Sequence, residues 1–134
     1  EAPEAIAARI APVATLAECV AGAIHVQENG PETLAAKQAL FAELDASAPA
    51  EAILASSSSA IRCSLFTGDL PGRARCLIGH PVNPPHLIPL VEVVAGDQTG
   101  EKAVLDAINF YTVPAPAQEV QQSPLPRPDL QHVR

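Results

Sequence analysis

The stretch from Arg75 to Val94 restricts the possible folds of this chain more than any other. Two short apolar runs, Arg75-Cys-Leu-Ile-Gly79 and Leu90-Val-Glu-Val-Val-Ala95, flank a loop in which Pro81, Pro84, Pro85 and Pro89 exclude a helix. The runs are too short for helices and end at turn residues, so they read as buried strands. Each delivers a polar group that such a strand would not otherwise carry: His80 closes the first, and Glu92 sits inside the second. A strand–loop–strand unit that joins an imidazole to a carboxylate supplies a general base and its orienting partner.

The rest of the chain alternates between strand and helix signals. Residues 3–21 are Ala-rich and read as helix, interrupted at Pro12, with a further turn from Thr15 to Val20. Ala23 to Glu28 is a strand ending in polar groups. Asn29-Gly-Pro31 follows as a turn, with Pro31 at the expected first helical position. Glu32 to Ala46 is a helix whose stripe is Leu34, Leu40, Phe41 and Leu44, with Lys37, Gln38 and Glu43 outside it. Ala52 to Ser56 is a buried strand running into the serines Ser56 to Ser59, and residues 61–70 are loop or short helix. After Leu90 to Ala95, the spacing of Val104, Leu105, Ile108 and Tyr111 predicts one helix face over Thr99 to Tyr111. Strand, helix, three strands, helix is the order of an α/β fold, the second half of a doubly wound sheet. From Pro114 the chain is rich in proline and glutamine, so residues 114–134 are expected to form an irregular, weakly ordered tail.

Composition narrows the function. A net charge of −7 with no basic run argues against nucleic acid. No apolar stretch approaches the ~18 residues of a membrane span. Cys19, Cys63 and Cys76 are odd in number and lack CxxC spacing, which suggests reduced thiols and a cytoplasmic protein. His80 and His86 lack a third ligand, so no metal site is expected. His25 and His132 carry no signal beyond packing or surface placement. The sequence has no methionine and starts Glu1-Ala-Pro-Glu, which leads to the expectation of a fragment.

Four segments in order resemble the N-terminal, NAD-binding domain of the L-3-hydroxyacyl-CoA dehydrogenase family. They are Val26-Gln-Glu-Asn-Gly-Pro-Glu32 leading to Lys37, Ile53-Leu-Ala-Ser-Ser-Ser-Ser59, Gly79-His-Pro-Val-Asn-Pro84 and Pro89-Leu-Val-Glu-Val-Val94. The serine run and the His-Pro-Val-Asn-Pro-Pro variant are similar to a branch with lambda-crystallin, L-gulonate 3-dehydrogenase and, nearby, L-carnitine dehydrogenase. The resemblance implies a Rossmann-like NAD-binding domain over 1–113. It implies His80 as catalytic base, Glu92 as the carboxylate that orients it, and Ser59 reaching both substrate and nicotinamide. Glu32, Lys37 and Asn83 are implied as further NAD contacts. The parent enzyme would be a homodimer that oxidises a secondary 3-hydroxyl on an acyl-CoA, as in fatty acid metabolism, or on a small 3-hydroxy acid.

Three parts of the family pattern are missing from these residues: the GxGxxG phosphate loop, the C-terminal helical domain, and the strand and Pro-Gly-Phe-like linker expected after Phe110-Tyr111, where the proline-rich tail stands instead. This chain alone is therefore expected to be inactive. The other readings are a non-catalytic crystallin-like structural protein and an inert truncated product. Residue by residue, the alternatives to these roles are a structural or surface His80, a Glu92 that is half of a structural ion pair, and Glu32 and Lys37 on a solvated helix face.

Overall fold

A computed structural model describes residues 2–112 and, for the backbone alone, 120–122. The elements are helix α1 (Pro3–Ala7), strand β1 (Ile10–Pro12), helix α2 (Leu16–Val20), strand β2 (His25–Glu28) and helix α3 (Leu34–Ser47). Strand β3 (Ile53–Ser56), helix α4 (Ser64–Thr67), strand β4 (Cys76–Pro81), strand β5 (Val91–Ala95), helix α5 (Glu101–Thr112) and strand β6 (Val120–Gln122) complete the order. The main sheet runs β2-β3-β4-β5, with β2, β3 and β4 parallel and β5 antiparallel to β4. β1 and β6 form a separate parallel pair. This is an open α/β sheet, as the order of elements predicts.

Helices cover both faces, and the period-two alternation of each strand divides the core accordingly. On one face, Leu54 of β3 and Cys76 and Ile78 of β4 pack with Val20, Phe41, Leu44, Cys63 and Phe66 from α2 to α4 and their loops. On the other, Ile53, Ala55 and Leu77 pack against Ala103 and Ala107 of α5. Strands β3 and β4 are buried on both sides, which is why they read as unbroken apolar runs.

Four expectations need correction. The Ala-rich start is not one interrupted helix: Ile10–Pro12 is a strand, and its ladder with β6 outweighs local helix propensity. Pro31 lies before α3 rather than in its first turn; Thr33 caps that helix, its hydroxyl accepting the Ala36 N–H. The face that α3 buries is Lys37, Phe41 and Leu44, whereas Leu34 is exposed. On α5 the small residues Ala103 and Ala107 face the sheet with Tyr111, where they allow a close approach, and Leu105 and Ile108 stay exposed. Of the tail, Val120–Gln122 pairs with β1 and the remainder lies outside the described residues.

Lys37 is 1 % exposed, and its ammonium is satisfied within the fold. It donates to both carboxylate oxygens of Glu28, at 2.9 and 2.8 Å, and to the Gly30 carbonyl at 3.2 Å. Glu28 also accepts the Ser56 hydroxyl at 2.6 Å and the Gly30 N–H. A charge pair out of water is tolerated only when every remaining hydrogen-bonding site is filled, as it is here. Lys37→Met is expected to cost about 3–5 kcal/mol, because it strands the Glu28 carboxylate. Urea unfolding checks this: the loss should shrink in Lys37→Met/Glu28→Gln, and an unchanged midpoint in the single variant rules the pair out as a determinant of stability.

Candidate active site

Three parallel strands end at one edge of the sheet, and register places the polar residues there. Glu28, Ser56 and Ile78 are aligned across β2, β3 and β4. The serines after Ser56 and His80, two residues past Ile78, therefore emerge on the same side. Carboxyl ends of parallel strands are where open α/β sheets bind ligands.

His80 and Glu92 are direct cross-strand partners in the β4–β5 ladder. Directly opposed side chains in an antiparallel pair lie within contact range. His80 Nδ1 is 2.8 Å from Glu92 Oε2, with the histidine side chain 26 % exposed and the carboxylate 58 % exposed. The carboxylate can only accept, so Nδ1 donates, and in a neutral ring Nε2 then keeps its lone pair. Sequence reasoning put His80 at the end of its strand; β4 continues through Pro81, and the Val82 N–H donates to the Leu90 carbonyl at 3.0 Å beyond it. His80 is thus held inside the ladder. Asn83, one residue on, is exposed and precedes a cis bond to Pro84.

The strand carrying His80 is also held from below. Gly79 has no side chain because Tyr111 occupies that space: a β-carbon there would lie 2.1 Å from the Tyr111 hydroxyl. Tyr111 donates to Gln27 Oε1, and Gln27 Nε2 donates to the Gly79 carbonyl at 2.8 Å and to the Ser57 hydroxyl at 2.6 Å. His25 joins this group, with Nε2 3.0 Å from the Tyr111 hydroxyl and its ring stacked 4.0 Å from Phe110. Burial pushes the Tyr111 hydroxyl up and outweighs the Gln27 contact to bring His25 down. Both groups therefore stay neutral near pH 7.

The serine run divides its work. Ser56 donates to Glu28, and Ser57 donates to Asn29 Oδ1 at 2.6 Å. Ser58 donates to Glu32 Oε1 at 2.5 Å. Ser59 is exposed, and among the described residues its hydroxyl makes no hydrogen bond. Of the residues implied as NAD contacts, Ser59 and Asn83 therefore present open polar groups, Glu32 is exposed but hydrogen-bonded to the serine turn, and Lys37 is enclosed. Sequence reasoning missed Gln27, Glu28 and Ser58. One signal was readable for the buried lysine: Lys37, Phe41 and Leu44 share a helical phase.

The remaining thiols contribute no chemistry here. Cys63 and Cys76 are buried, which raises both, Cys76 to about 12, and leaves them protonated. Among the described residues, no group of three His, Cys, Asp or Glu could hold a metal, and no helix is long and apolar enough to cross a membrane.

The His80–Glu92 geometry has a spectroscopic consequence. In long-range 1H–15N spectra of the chain at neutral pH, His80 is expected mainly as the Nδ1–H tautomer. Glu92→Ala should shift it toward the Nε2–H form favoured by free imidazole. An unchanged tautomer in the variant would mean that Glu92 does not orient the ring.

Comparison with known proteins supplies the context for this geometry. An L-carnitine dehydrogenase of Streptomyces griseus is 46 % identical over 105 residues, 78 % of this chain and 31 % of the relative. One from Pseudomonas aeruginosa is 42 % identical over 110 residues, 82 % of this chain and 34 % of the relative. A 3-hydroxyacyl-CoA dehydrogenase of Gibberella moniliformis is 48 % identical over 97 residues, 72 % of this chain and 30 % of the relative. Among solved structures, 3-hydroxybutyryl-CoA dehydrogenase from Escherichia coli K12 superposes with a TM-score of 0.72 at 27 % identity, over 84 % of this chain and 23 % of that one. The chain thus spans about a third of the length of these curated relatives. Residues 1–114 match the family described as 3-hydroxyacyl-CoA dehydrogenase, NAD binding domain, and the chain belongs to that family.

Proposed function

We propose that these residues form the base-bearing half of an NAD-dependent dehydrogenase site that oxidises a secondary 3-hydroxyl to a ketone. The observation that carries this reading is the His80–Glu92 pair, 2.8 Å apart at the strand edge where ligands of this fold class bind. His80 Nε2 takes the hydroxyl proton, and Glu92 holds Nδ1–H and stabilises the imidazolium that results. Bound NAD supplies the hydride acceptor. The open hydroxyl of Ser59 and the exposed amide of Asn83 suit the nicotinamide and substrate side of such a site. Glu32 and Lys37 belong to the same edge, where they support the turn that faces the cofactor.

For the substrate, we favour a small polar 3-hydroxy acid of the L-carnitine type over an acyl-CoA. The support is the 46 % and 42 % identity to proteins named L-carnitine dehydrogenase. The test is a chimera in which residues 10–112 replace the matching segment of such a relative. It should oxidise L-carnitine with NAD faster than it oxidises 3-hydroxybutyryl-CoA. His80→Ala in the chimera should lower kcat by roughly 10²–10⁴-fold. A folded chimera whose turnover survives His80→Ala would overturn the assignment of the base; faster turnover of the CoA ester would overturn the substrate.

A further inference from the structure

We infer that Glu32 is a positioning residue that works through the main chain of Ser59, and that its contribution to the site is to aim the Ser59 hydroxyl. The inference rests on the dehydrogenase reading above, in which Ser59 faces substrate and nicotinamide.

Glu32 stands just before the Thr33 cap of α3, twenty-seven positions from Ser59 in sequence. A single carboxylate oxygen, Oε1, accepts three hydrogen bonds from the turn that follows β3. The donors are the Ser58 hydroxyl at 2.5 Å, the Ser59 N–H at 3.1 Å and the Ala60 N–H at 3.1 Å. Ser58 completes the turn, its oxygen accepting the Ile61 N–H at 3.0 Å. Two successive N–H groups converging on one anion fix the peptide planes on both sides of Ser59, and hence the direction of its Cα–Cβ bond. A hydroxyl or amide elsewhere could satisfy one of these donors. A carboxylate oxygen satisfies all three, because it is charged and has no proton to misplace.

The second oxygen, Oε2, lies 3.6 Å from Lys37 Nζ, whose three donors are already directed at Glu28 and Gly30. The charged groups around Glu32 are therefore Lys37 from α3 and, behind it, Glu28 from β2; the serine turn presents only neutral donors. Burial would raise the Glu32 carboxyl, but the Ser58 hydroxyl, the Ala60 N–H, the Lys37 charge and the Ser59 N–H together bring it below the ordinary glutamate range. The clamp is thus anionic at neutral pH.

With Oε1 engaged threefold, Glu32 is better placed to hold the turn than to grip a ligand, while Ser59 keeps an exposed hydroxyl with no partner among the described residues. This separates two roles that one carboxylate near a cofactor would otherwise combine. A direct cofactor contact acts on affinity; a positioning residue acts on the rate of the bound complex.

The first test uses the 134-residue chain itself and needs no activity. In 1H–15N spectra the Ser59 and Ala60 amides should resonate downfield and move together on acidification, with a shared midpoint below that of an ordinary glutamate. Glu32→Gln, which keeps the acceptor oxygen, should retain most of the downfield shift and lose the titration. Glu32→Ala should lose both, and amides unmoved in this variant would overturn the inference. The second test places the same variants in the chimera described above. Glu32→Ala is expected to lower kcat by about 10²-fold with KM for NAD little changed, and Glu32→Gln to recover most of the loss. A rise in KM for NAD at unchanged kcat would make Glu32 a cofactor contact and overturn the positioning role. If the unsubstituted chimera is inactive while the amide signature is intact, it is the dehydrogenase reading that fails, and the positioning role falls with it. If the signature is lost in an active chimera, only the positioning role fails.

Discussion

The buried pair of Glu28 and Lys37 is the constraint around which the carboxyl edge of the parallel strands is organised. Two charges removed from water need every remaining donor and acceptor filled, or the fold would not tolerate them. Meeting that demand draws in the Ser56 hydroxyl, the Gly30 N–H and the Gly30 carbonyl. The carboxyl ends of β2 and β3 are thereby tied to the first turns of α3. The serine turn inherits its geometry from this: Ser56 also accepts the Ser58 N–H at 3.2 Å, and the next residues are taken up by Glu32. A run of four identical residues becomes four different environments because three of the hydroxyls donate to different neighbours and that of Ser59, among the described residues, to none.

The hairpin of β4 and β5 answers a different problem. The cross-strand register with Glu92 sets the His80 ring against a carboxylate and so fixes which of its nitrogens donates. The surrounding fold defends that register. Tyr111 fills the space beside Gly79, Gln27 holds the Gly79 carbonyl, and α5 approaches closely through Ala103 and Ala107. Leu105 and Ile108 of this helix stay exposed, since the small residues Ala103 and Ala107 let it approach the sheet closely. The same network joins the strand of His80 to the serine turn, since Gln27 bonds both Gly79 and Ser57.

Much of this was legible from local patterns, and the exceptions share a cause. The strands at 53–56 and 91–95 and the helix at 101–112 follow from apolar runs, β-branched residues and turn punctuation. Ile10–Pro12 did not, because its strand state depends on a partner more than a hundred residues away. Lys37 looked like a solvated position because charge normally marks an outer face, yet its helical phase matches Phe41 and Leu44. Only a carboxylate from another element could make that placement tolerable. Glu32 likewise read as an early helix residue; its distance to the serine turn is a property of folded space.

The sequence by itself determined the class of this protein: an α/β chain with a histidine and a carboxylate on adjacent strands, and four ordered segments of an NAD-binding family. These features are carried by short-range periodicity and spacing, which survive without knowledge of the fold. Tertiary structure alone decided which polar residues stay open and which serve the fold. Ser59 is open whereas Ser56, Ser57 and Ser58 are engaged, and Lys37 is enclosed while Asn83 is exposed. The reason is physical: a side chain's role depends on whether its hydrogen-bonding capacity is already used by neighbours, and those neighbours come from other elements of the fold.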